Sequence, residues 1–308
     1  MYLGIEIGGT KLQLVAGDDQ CRIVERRRLS VTPAAGASGI RKQIEVTLPD
    51  LIRLFQPEAI GVGFGGPVDW QAGRICRSHQ IEGWSEFDLA GWLSGLSGLP
   101  IRIENDANVG ALGEALLGAG VGANPVFYVT LGSGVGGGLV VNGTIYHGAS
   151  PGEAEIGHVR LDRNGTIVEQ RCSGWAVDRR IRELCSANTA TLLAQLVAGQ
   201  RGCEARFLSS AIAGGDQVAA GLLRDIASDL AFALSHAVHL FHPEMIILGG
   251  GLSKVGEPLR AAVEDALSGF CMDAFAPGPR IRLAGLGEDA VPAGALKLAT
   301  AAGVRKTP

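Results

Sequence analysis

Two glycine-rich segments of the chain have the composition of phosphate-binding turns. One is Gly8-Gly9-Thr10-Lys11, which lies between two apolar runs, and the other contains Gly132, Ser133 and Gly134 between runs rich in valine and leucine. Because glycine has no Cβ, successive backbone N–H groups in such turns can approach an anion closely. Ordinary tight turns are the alternative interpretation. The occurrence of two matching turns, with Thr10 and Lys11 beside the first, favours phosphate binding.

Asp106 is the carboxylate whose position suits proton transfer. It follows a predicted strand, residues 101–104, and stands at the start of a predicted helix. A carboxylate there could accept the proton of a substrate hydroxyl group. Asp is also a preferred helix N-cap residue. Position alone therefore leaves both roles open.

The elements that must position these residues alternate between strands and helices. Runs rich in β-branched residues predict strands in both halves, at residues 59–63, 101–104, 245–248 and 280–283. Amphipathic or apolar runs predict helices at residues 39–55, 108–117, 175–184, 218–240, 256–267 and 293–304. Each glycine-rich turn is predicted to join the two strands of a β-hairpin. The alternation indicates an α/β fold with mainly parallel strands.

Glycine, alanine, asparagine and proline accumulate at residues 118–125, which marks a candidate domain boundary. We therefore predict an N-terminal α/β domain, residues 1–118, and a C-terminal α/β domain, residues 119–290. The final helix, residues 291–308, is predicted to rejoin the first domain.

Composition and charge exclude several classes of protein. The 46 glycines among 308 residues show no Gly-X-Y period, and a 46% apolar fraction is too high for a disordered chain. A net charge of −4 argues against a nucleic-acid partner. The longest uncharged stretch is too rich in glycine for a membrane span. Six scattered cysteines and a start without an export signal predict a cytoplasmic protein with no membrane partner.

Two matches to the dinucleotide-binding pattern G-x-G-x-x-G, residues 61–66 and 132–137, do not have its required context. That pattern needs a strand before it and a helix after it. Here the first is followed by Pro67-Val68-Asp69 and the second by another predicted strand. Since the chain also has no G-x-x-x-x-G-K-[ST] motif, NAD and P-loop chemistry are disfavoured.

Six segments occur in an order that resembles the ROK family (repressor, open reading frame, kinase), and most of all its glucokinase-type sugar kinases. They are GIEIGGTK at 4–11, GFGGPVD at 63–69, ENDAN at 104–108, LGSGVGGG at 131–138, EIGH at 155–158 and PEMIILGGGLS at 243–253. The resemblance implies an actin/hexokinase-like (ribonuclease H-like) ATPase fold. Its two α/β domains would surround a cleft that binds ATP and a small-molecule sugar, and a homodimer is expected.

The resemblance also implies roles for particular residues. Asp106 would be the general base. The sugar would contact Gly66, Pro67, Asn105, Asp106, Glu155, His158 and Glu169. ATP would contact Gly8, Gly9, Thr10, Lys11, Gly132, Ser133, Gly134, Gly249, Gly250 and Gly251. Glu6 would position Mg²⁺ through water.

The chain departs from the family pattern in places that bear on function. The cysteine-rich segment that supplies three zinc ligands after the histidine is missing here, since only Cys172 follows His158 closely. A structural zinc needs four ligands, so we predict no zinc site. Glu6 replaces the usual Asp and Ser133 the usual Thr. Residues 79–83, HQIEG, lack the Asn expected of a glucokinase.

The sequence therefore predicts an ATP- and Mg²⁺-dependent kinase that phosphorylates a hexose, with the 6-hydroxyl of glucose or a related sugar as acceptor. A kinase for fructose, allose or an N-acetylhexosamine is an alternative because of the pocket departures. A weakly catalytic sugar sensor is another, suggested by the missing cysteines. A repressor is disfavoured because the phosphate motif begins at residue 4, leaving no room for a helix-turn-helix.

Overall fold

A computed structural model describes residues 1–76, 81–149 and 154–303. The strands in chain order are β1 (Tyr2–Ile7), β2 (Lys11–Gly17), β3 (Ile23–Ser30), β4 (Ile60–Phe64), β5 (Val68–Asp69), β6 (Arg74–Ile75), β7 (Phe87–Asp88), β8 (Ile101–Asn105), β9 (Val126–Leu131), β10 (Val135–Val141), β11 (Thr144–Ile145), β12 (Met245–Gly249) and β13 (Arg280–Leu283). The α-helices are α1 (Gly36–Phe55), α2 (Leu89–Ser97), α3 (Asp106–Leu117), α4 (Val168–Cys172), α5 (Gly174–Ala187), α6 (Leu192–Val197), α7 (Leu208–Ala213), α8 (Gln217–Phe241), α9 (Glu257–Ser268) and α10 (Ala290–Gly303).

The chain divides into two compact units. The first contains Met1–Val121, Gly143–Ala154 and the C-terminal segment from Glu288, and the second contains Gly122–Asn142 and Glu155–Gly287. Helix α10 therefore lies in the first unit, against β1, β4 and α3.

The main sheet of the first unit has the strand order β3-β2-β1-β4-β8. The β1–β2 and β2–β3 pairs are antiparallel, while β4 lies parallel to both β1 and β8. Apolar side chains at a spacing of three to four residues place one face of α1 in the core, where Ile40, Ile44, Leu48 and Leu51 are buried. On the opposite face α10 approaches very closely, because a Cβ at Gly61 would lie 1.9 Å from the carbonyl oxygen of Ala295.

In the second unit the strands run in the order β10-β9-β12-β13. The β9–β10 pair is antiparallel, and β12 is parallel to β9 and β13. Each unit thus starts with a β-hairpin. The first strand of that hairpin also pairs in parallel with a later strand, β1 with β4 and β9 with β12. The predicted hairpins and the predicted strands and helices are present, with ends shifted by at most three residues. Val304 lies outside the described residues.

Sequence patterns did not predict β3, α2, α6 or α7. Strand β3 has a mostly exposed or half-buried pattern and contains Arg26-Arg27-Arg28. An edge strand can carry such charges, which discourage pairing with another chain. Helices α6 and α7 have six residues each and are too short to show helical periodicity.

Candidate active site

The turn between β1 and β2 places the first glycine-rich segment at the surface of its unit. The Gly8 N–H donates to the Lys11 carbonyl oxygen at 2.9 Å, which closes the hairpin. Thr10 is exposed, and Gly8, Gly9 and Lys11 are half-buried. The structure therefore brings the four predicted phosphate-binding residues together on one tight turn.

Glu6, at the end of β1, has both carboxylate oxygens engaged. Lys11 Nζ lies 2.9 Å from Oε1, and Gln13 Nε2 donates to Oε2 at 2.7 Å. Mg²⁺ in phosphate-transfer sites keeps several waters and takes one or two carboxylates besides the phosphates. Glu6 is a single carboxylate beside Lys11 on the predicted phosphate-binding turn, and this arrangement fits such a Mg²⁺ site.

The ENDAN segment spans the junction between β8 and α3. Asn105 is the N-cap of α3: its Oδ1 accepts the N–H groups of Ala107 at 2.8 Å and Asn108 at 3.3 Å. The same side chain donates through Nδ2 to the Gly66 carbonyl oxygen at 3.1 Å. The interpretation of Asp106 as the helix cap is therefore wrong, because Asn105 fills that position.

Asp106 is the first residue of α3 and is half-buried. A Cβ at Gly65 would lie 3.4 Å from Asp106 Oδ2, so the carboxylate lies beside the loop that follows β4. Gly66 and Pro67 continue this loop. The structure thus brings Asp106, Asn105, Gly66 and Pro67 together where the parallel strands β4 and β8 end. The carboxyl ends of parallel strands are common sites for ligands in α/β folds.

The second glycine-rich turn, between β9 and β10, is fastened from two sides. Gly174, the first residue of α5, donates its N–H to the Gly132 carbonyl oxygen at 2.7 Å. Glu169 Oε2 accepts the N–H of Val135 at 2.9 Å. A Cβ at Gly134 would lie 2.4 Å from that oxygen, so a side chain there would displace the carboxylate. Glu169 is therefore bound to the hairpin, and its contact with a sugar stays a prediction.

The turn after β12 lies against the same hairpin. Gly250 has a φ of +80°, and a Cβ there would lie 2.5 Å from the backbone nitrogen of Leu131. Both the conformation and the space require glycine. Ser253 Oγ donates to the Gly250 carbonyl oxygen at 2.8 Å. The predicted ATP-contacting groups 132–134 and 249–251 are thus neighbours within the second unit.

Glu155 directly precedes a 3₁₀ turn, Ile156–His158, that His158 ends, and both residues are exposed. The turn packs on β10, since a Cβ at Gly157 would lie 2.1 Å from the Val135 carbonyl oxygen. Glu169 and the turn that carries Glu155 and His158 therefore both contact Val135, the first residue of β10.

The residues present do not fit a structural zinc. Cys172 is fully buried in α4, and its Sγ donates to the Ile226 carbonyl oxygen at 3.8 Å. Burial raises the pKa of this thiol to about 12, whereas a zinc ligand must be a thiolate. Over residues 1–76, 81–149 and 154–303, no group of three or more His, Cys, Asp or Glu side chains could hold a metal ion.

Some residues that organise the site were not predicted. Gln13 is fully buried inside β2, and a polar residue within the apolar run Leu12–Ala16 was the available signal. Glu104, buried next to Asn105, lies 2.6 Å from His147 Nε2, and the His147 ring stacks on Trp70. His79 and Gln80, in the segment that lacks the Asn expected of a glucokinase, lie outside the described residues. Within the described part of the chain, no helix is long and apolar enough to cross a membrane.

Comparisons with known proteins agree with this architecture. The model of the ROK family matches residues 2–302. A glucokinase of Halalkalibacterium halodurans is 30% identical over 303 residues, covering 94% of this chain and 92% of the relative. An N-acetylgalactosamine kinase of Shewanella sp. is 30% identical over 295 residues, covering 93% and 92%.

A ROK family glucokinase from Streptomyces griseus, solved in complex with glucose and AMPPNP, superimposes with a TM-score of 0.85 at 31% identity. The match covers 97% of this chain and 98% of that structure. The predicted actin/hexokinase-like fold is confirmed.

Proposed function

The chain belongs to the ROK family and is a carbohydrate kinase, and from this premise we propose that it transfers the γ-phosphoryl group of ATP to a hexose hydroxyl with Asp106 as general base. The observation that carries the assignment of Asp106 is the N-cap of α3. Because Asn105 satisfies the backbone N–H groups of Ala107 and Asn108, the neighbouring carboxylate is not needed for capping.

Asp106 would accept the proton of the attacking hydroxyl group. Phosphoryl transfer needs little covalent participation by the protein, so catalysis depends on positioning and on charge stabilisation. The carboxylate would align the hydroxyl oxygen while removing its proton. Asn105 fixes the Gly66 loop through its Nδ2 group, and this bond would hold the sugar-facing segment in register with Asp106.

The two glycine-rich turns would bind the phosphates of ATP through backbone N–H groups and, in the first unit, through Lys11. The turn at 249–251 packs against the hairpin at 132–134, which supports a nucleotide site on the second unit. Glu169 holds that hairpin at Val135, and Gly174 holds it at Gly132. A hairpin fixed from both sides loses little entropy when it binds phosphate, which favours affinity.

A bound Mg²⁺ would neutralise charge on the phosphates during transfer. Glu6 is the carboxylate that would orient its water ligands, and Lys11 would exchange Glu6 for phosphate oxygens. The metal and a homodimer remain predictions from the resemblance, and a cytoplasmic location remains a prediction from the cysteines and the N-terminal sequence.

Glucose is the first acceptor to test, since the compared relatives include glucokinases. The N-acetylgalactosamine kinase relative has the same identity, which keeps an N-acetylhexosamine as the second candidate. Glu155 and His158 are exposed on their turn and offer both acceptor and donor atoms to sugar hydroxyls.

The test is a coupled ADP-release assay with Mg·ATP across hexoses and N-acetylhexosamines. We expect turnover with glucose or with another sugar of these two classes. Release of no ADP above the sugar-free rate with any of them would refute the kinase proposal. Sugar binding by calorimetry in that case would support the sensor instead.

A further inference from the structure

Glu6, Gln13 and Arg28 form a row across three strands. The register pairs Glu6 of β1 with Gln13 of β2, and Gln13 with Arg28 of β3. Directly paired residues on one face of a sheet lie close enough for their side chains to interact. The row therefore connects the carboxylate beside the first phosphate turn to the edge of the sheet.

The polarity of the Gln13 amide is fixed by its neighbours. Its Oε1 accepts from Arg26 Nη1 at 3.1 Å and from Arg28 Nε at 3.3 Å. Arginine has no acceptor, so the oxygen must face the two guanidinium groups. Nε2 must then face Glu6, to which it donates at 2.7 Å.

The arginines are themselves anchored at the start of α10. Arg26 Nη2 lies 2.6 Å from Asp289 Oδ1, and Arg28 Nη2 lies 3.1 Å from Glu288 Oε2. Gln13 is fully buried, whereas these ion pairs are partly exposed. The row thus extends from Glu6 through a buried amide to the N-terminal end of the helix that covers the sheet.

Glu6 needs such support more than an aspartate would. Glutamate has one more methylene group and so more rotamers, and an unheld carboxylate would sample several positions. Lys11 also holds Glu6, but Lys11 is the group expected to move to the phosphates. Gln13 would then be the remaining donor. As a neutral donor it holds the carboxylate without cancelling the charge that a cation needs.

We propose that Gln13 is a positioning residue that fixes the Glu6 carboxylate for the Mg²⁺-bound nucleotide, with Arg26 and Arg28 fixing Gln13 in turn. This inference rests on the proposed function and adds to it a second layer of residues around the metal-binding carboxylate. It predicts that loss of Gln13 weakens the response to Mg²⁺ and leaves the sugar site unchanged.

The test is calorimetric titration of AMPPNP at a series of MgCl₂ concentrations for the wild type and Gln13→Met. Methionine keeps the length of the side chain and removes the donor. Because hydrogen bonds to charged groups are strong, we expect the Mg²⁺ concentration for half-maximal nucleotide affinity to rise about tenfold. In turnover, KM for Mg²⁺ should rise while KM for the sugar stays unchanged, a split that general unfolding would not produce.

A second variant keeps the test valid if Gln13→Met folds poorly. Arg26→Met/Arg28→Met removes the two partly exposed donors and leaves Gln13 in place, and we expect a smaller shift in the same direction. Arg27→Met is the matched control, since Arg27 lies on the same strand and pairs with Glu25 outside the row. It should leave the Mg²⁺ response unchanged.

The outcomes separate the two proposals. A Mg²⁺ response in the wild type that is unchanged in both Gln13→Met and Arg26→Met/Arg28→Met overturns the role of Gln13 alone. A shift in Arg27→Met as large as that in Arg26→Met/Arg28→Met overturns the part assigned to Arg26 and Arg28, because loss of positive charge on β3 would then account for it. Nucleotide binding by the wild type that does not respond to Mg²⁺ overturns the metal role of Glu6 and this inference together.

Discussion

Replacing Gly294 by alanine should separate α10 from α3 and destabilise the first unit. A Cβ at Gly294 would lie 1.9 Å from the carbonyl oxygen of Val109 and 3.0 Å from Val109 Cγ1. The obstacle is helix backbone, so no side-chain rotation can relieve it. Gly113 of α3 lies at the same helix–helix contact, and a Cβ at Gly113 would lie 2.4 Å from the Ala290 carbonyl oxygen of α10. The two helices therefore pack through glycines.

The sign of the effect follows from two opposing terms. Alanine is favoured over glycine inside a helix by about 1 kcal/mol. Overpacking a well-filled contact costs about 1–3 kcal/mol, and contact with rigid backbone belongs at the upper end. We therefore expect Gly294→Ala to lower the free energy of unfolding by about 2 kcal/mol.

The assay is urea denaturation followed by circular dichroism, with Gly95→Ala as the matched control. Gly95 lies in α2 of the same unit and is exposed, and a Cβ added there would have no atom within 4 Å. The same substitution there should stabilise the unit by about 0.5–1 kcal/mol. If Gly294→Ala is neutral or stabilising, the close helix contact and the reasoning from it are refuted.

Three further predictions concern charge, thiols and metal. Burial raises the pKa of the Asp216 carboxyl, but hydrogen bonds from the N–H groups of Leu193, Ala219 and Val218 outweigh burial and lower the pKa below 3.8. The ionised carboxylate therefore stabilises the fold fully above that pH, and this stabilisation is lost as the pH falls. Asp216→Asn should lower the free energy of unfolding by about 1 kcal/mol at pH 7, with a difference from the wild type that shrinks below about pH 4; a constant difference from pH 7 to 3 would contradict this. Maleimide at pH 8 should label exposed Cys203 and spare Cys172, as read by peptide mass spectrometry, and early labelling of Cys172 would be inconsistent with its burial. Elemental analysis of protein purified without chelators should find no stoichiometric zinc, and one zinc per chain would disprove that prediction.

The parts of the fold that local chemistry dictates were predictable. Glycines directly after apolar runs marked both hairpins, since glycine is common where a strand ends in a tight turn. The ENDAN segment was located at a strand–helix junction because a predicted strand ends at residue 104 and a predicted helix begins shortly after it. Which of its residues caps α3 was not predictable, since Asn and Asp are both favoured at that position. In the structure Asn105 is the cap, and its side chain also donates to the Gly66 carbonyl oxygen, a contact between residues distant in the chain.

The parts that tertiary contacts dictate were not predictable. The arginine run of β3 has no apolar alternation and forms a strand only because β2 provides its ladder. Gln13 stands out in an apolar strand, but its partners Glu6, Arg26 and Arg28 are assigned only by the register. Likewise, the apolar character of α10 indicates that the helix is buried, but not what it packs against. The structure shows that Gly294 of α10 faces Val109 of α3 and that Gly113 of α3 faces Ala290 of α10.

The most direct test of the proposed mechanism is the turnover of Asp106→Asn on the sugar with the highest wild-type rate. We predict a fall in kcat of about 10²–10⁴, the usual contribution of a general base, with sugar affinity retained by calorimetry. Asp50→Asn, which changes an exposed carboxylate in α1 paired with Arg53, should keep the wild-type kcat. A near-normal kcat in Asp106→Asn would contradict the assignment of Asp106 as the base.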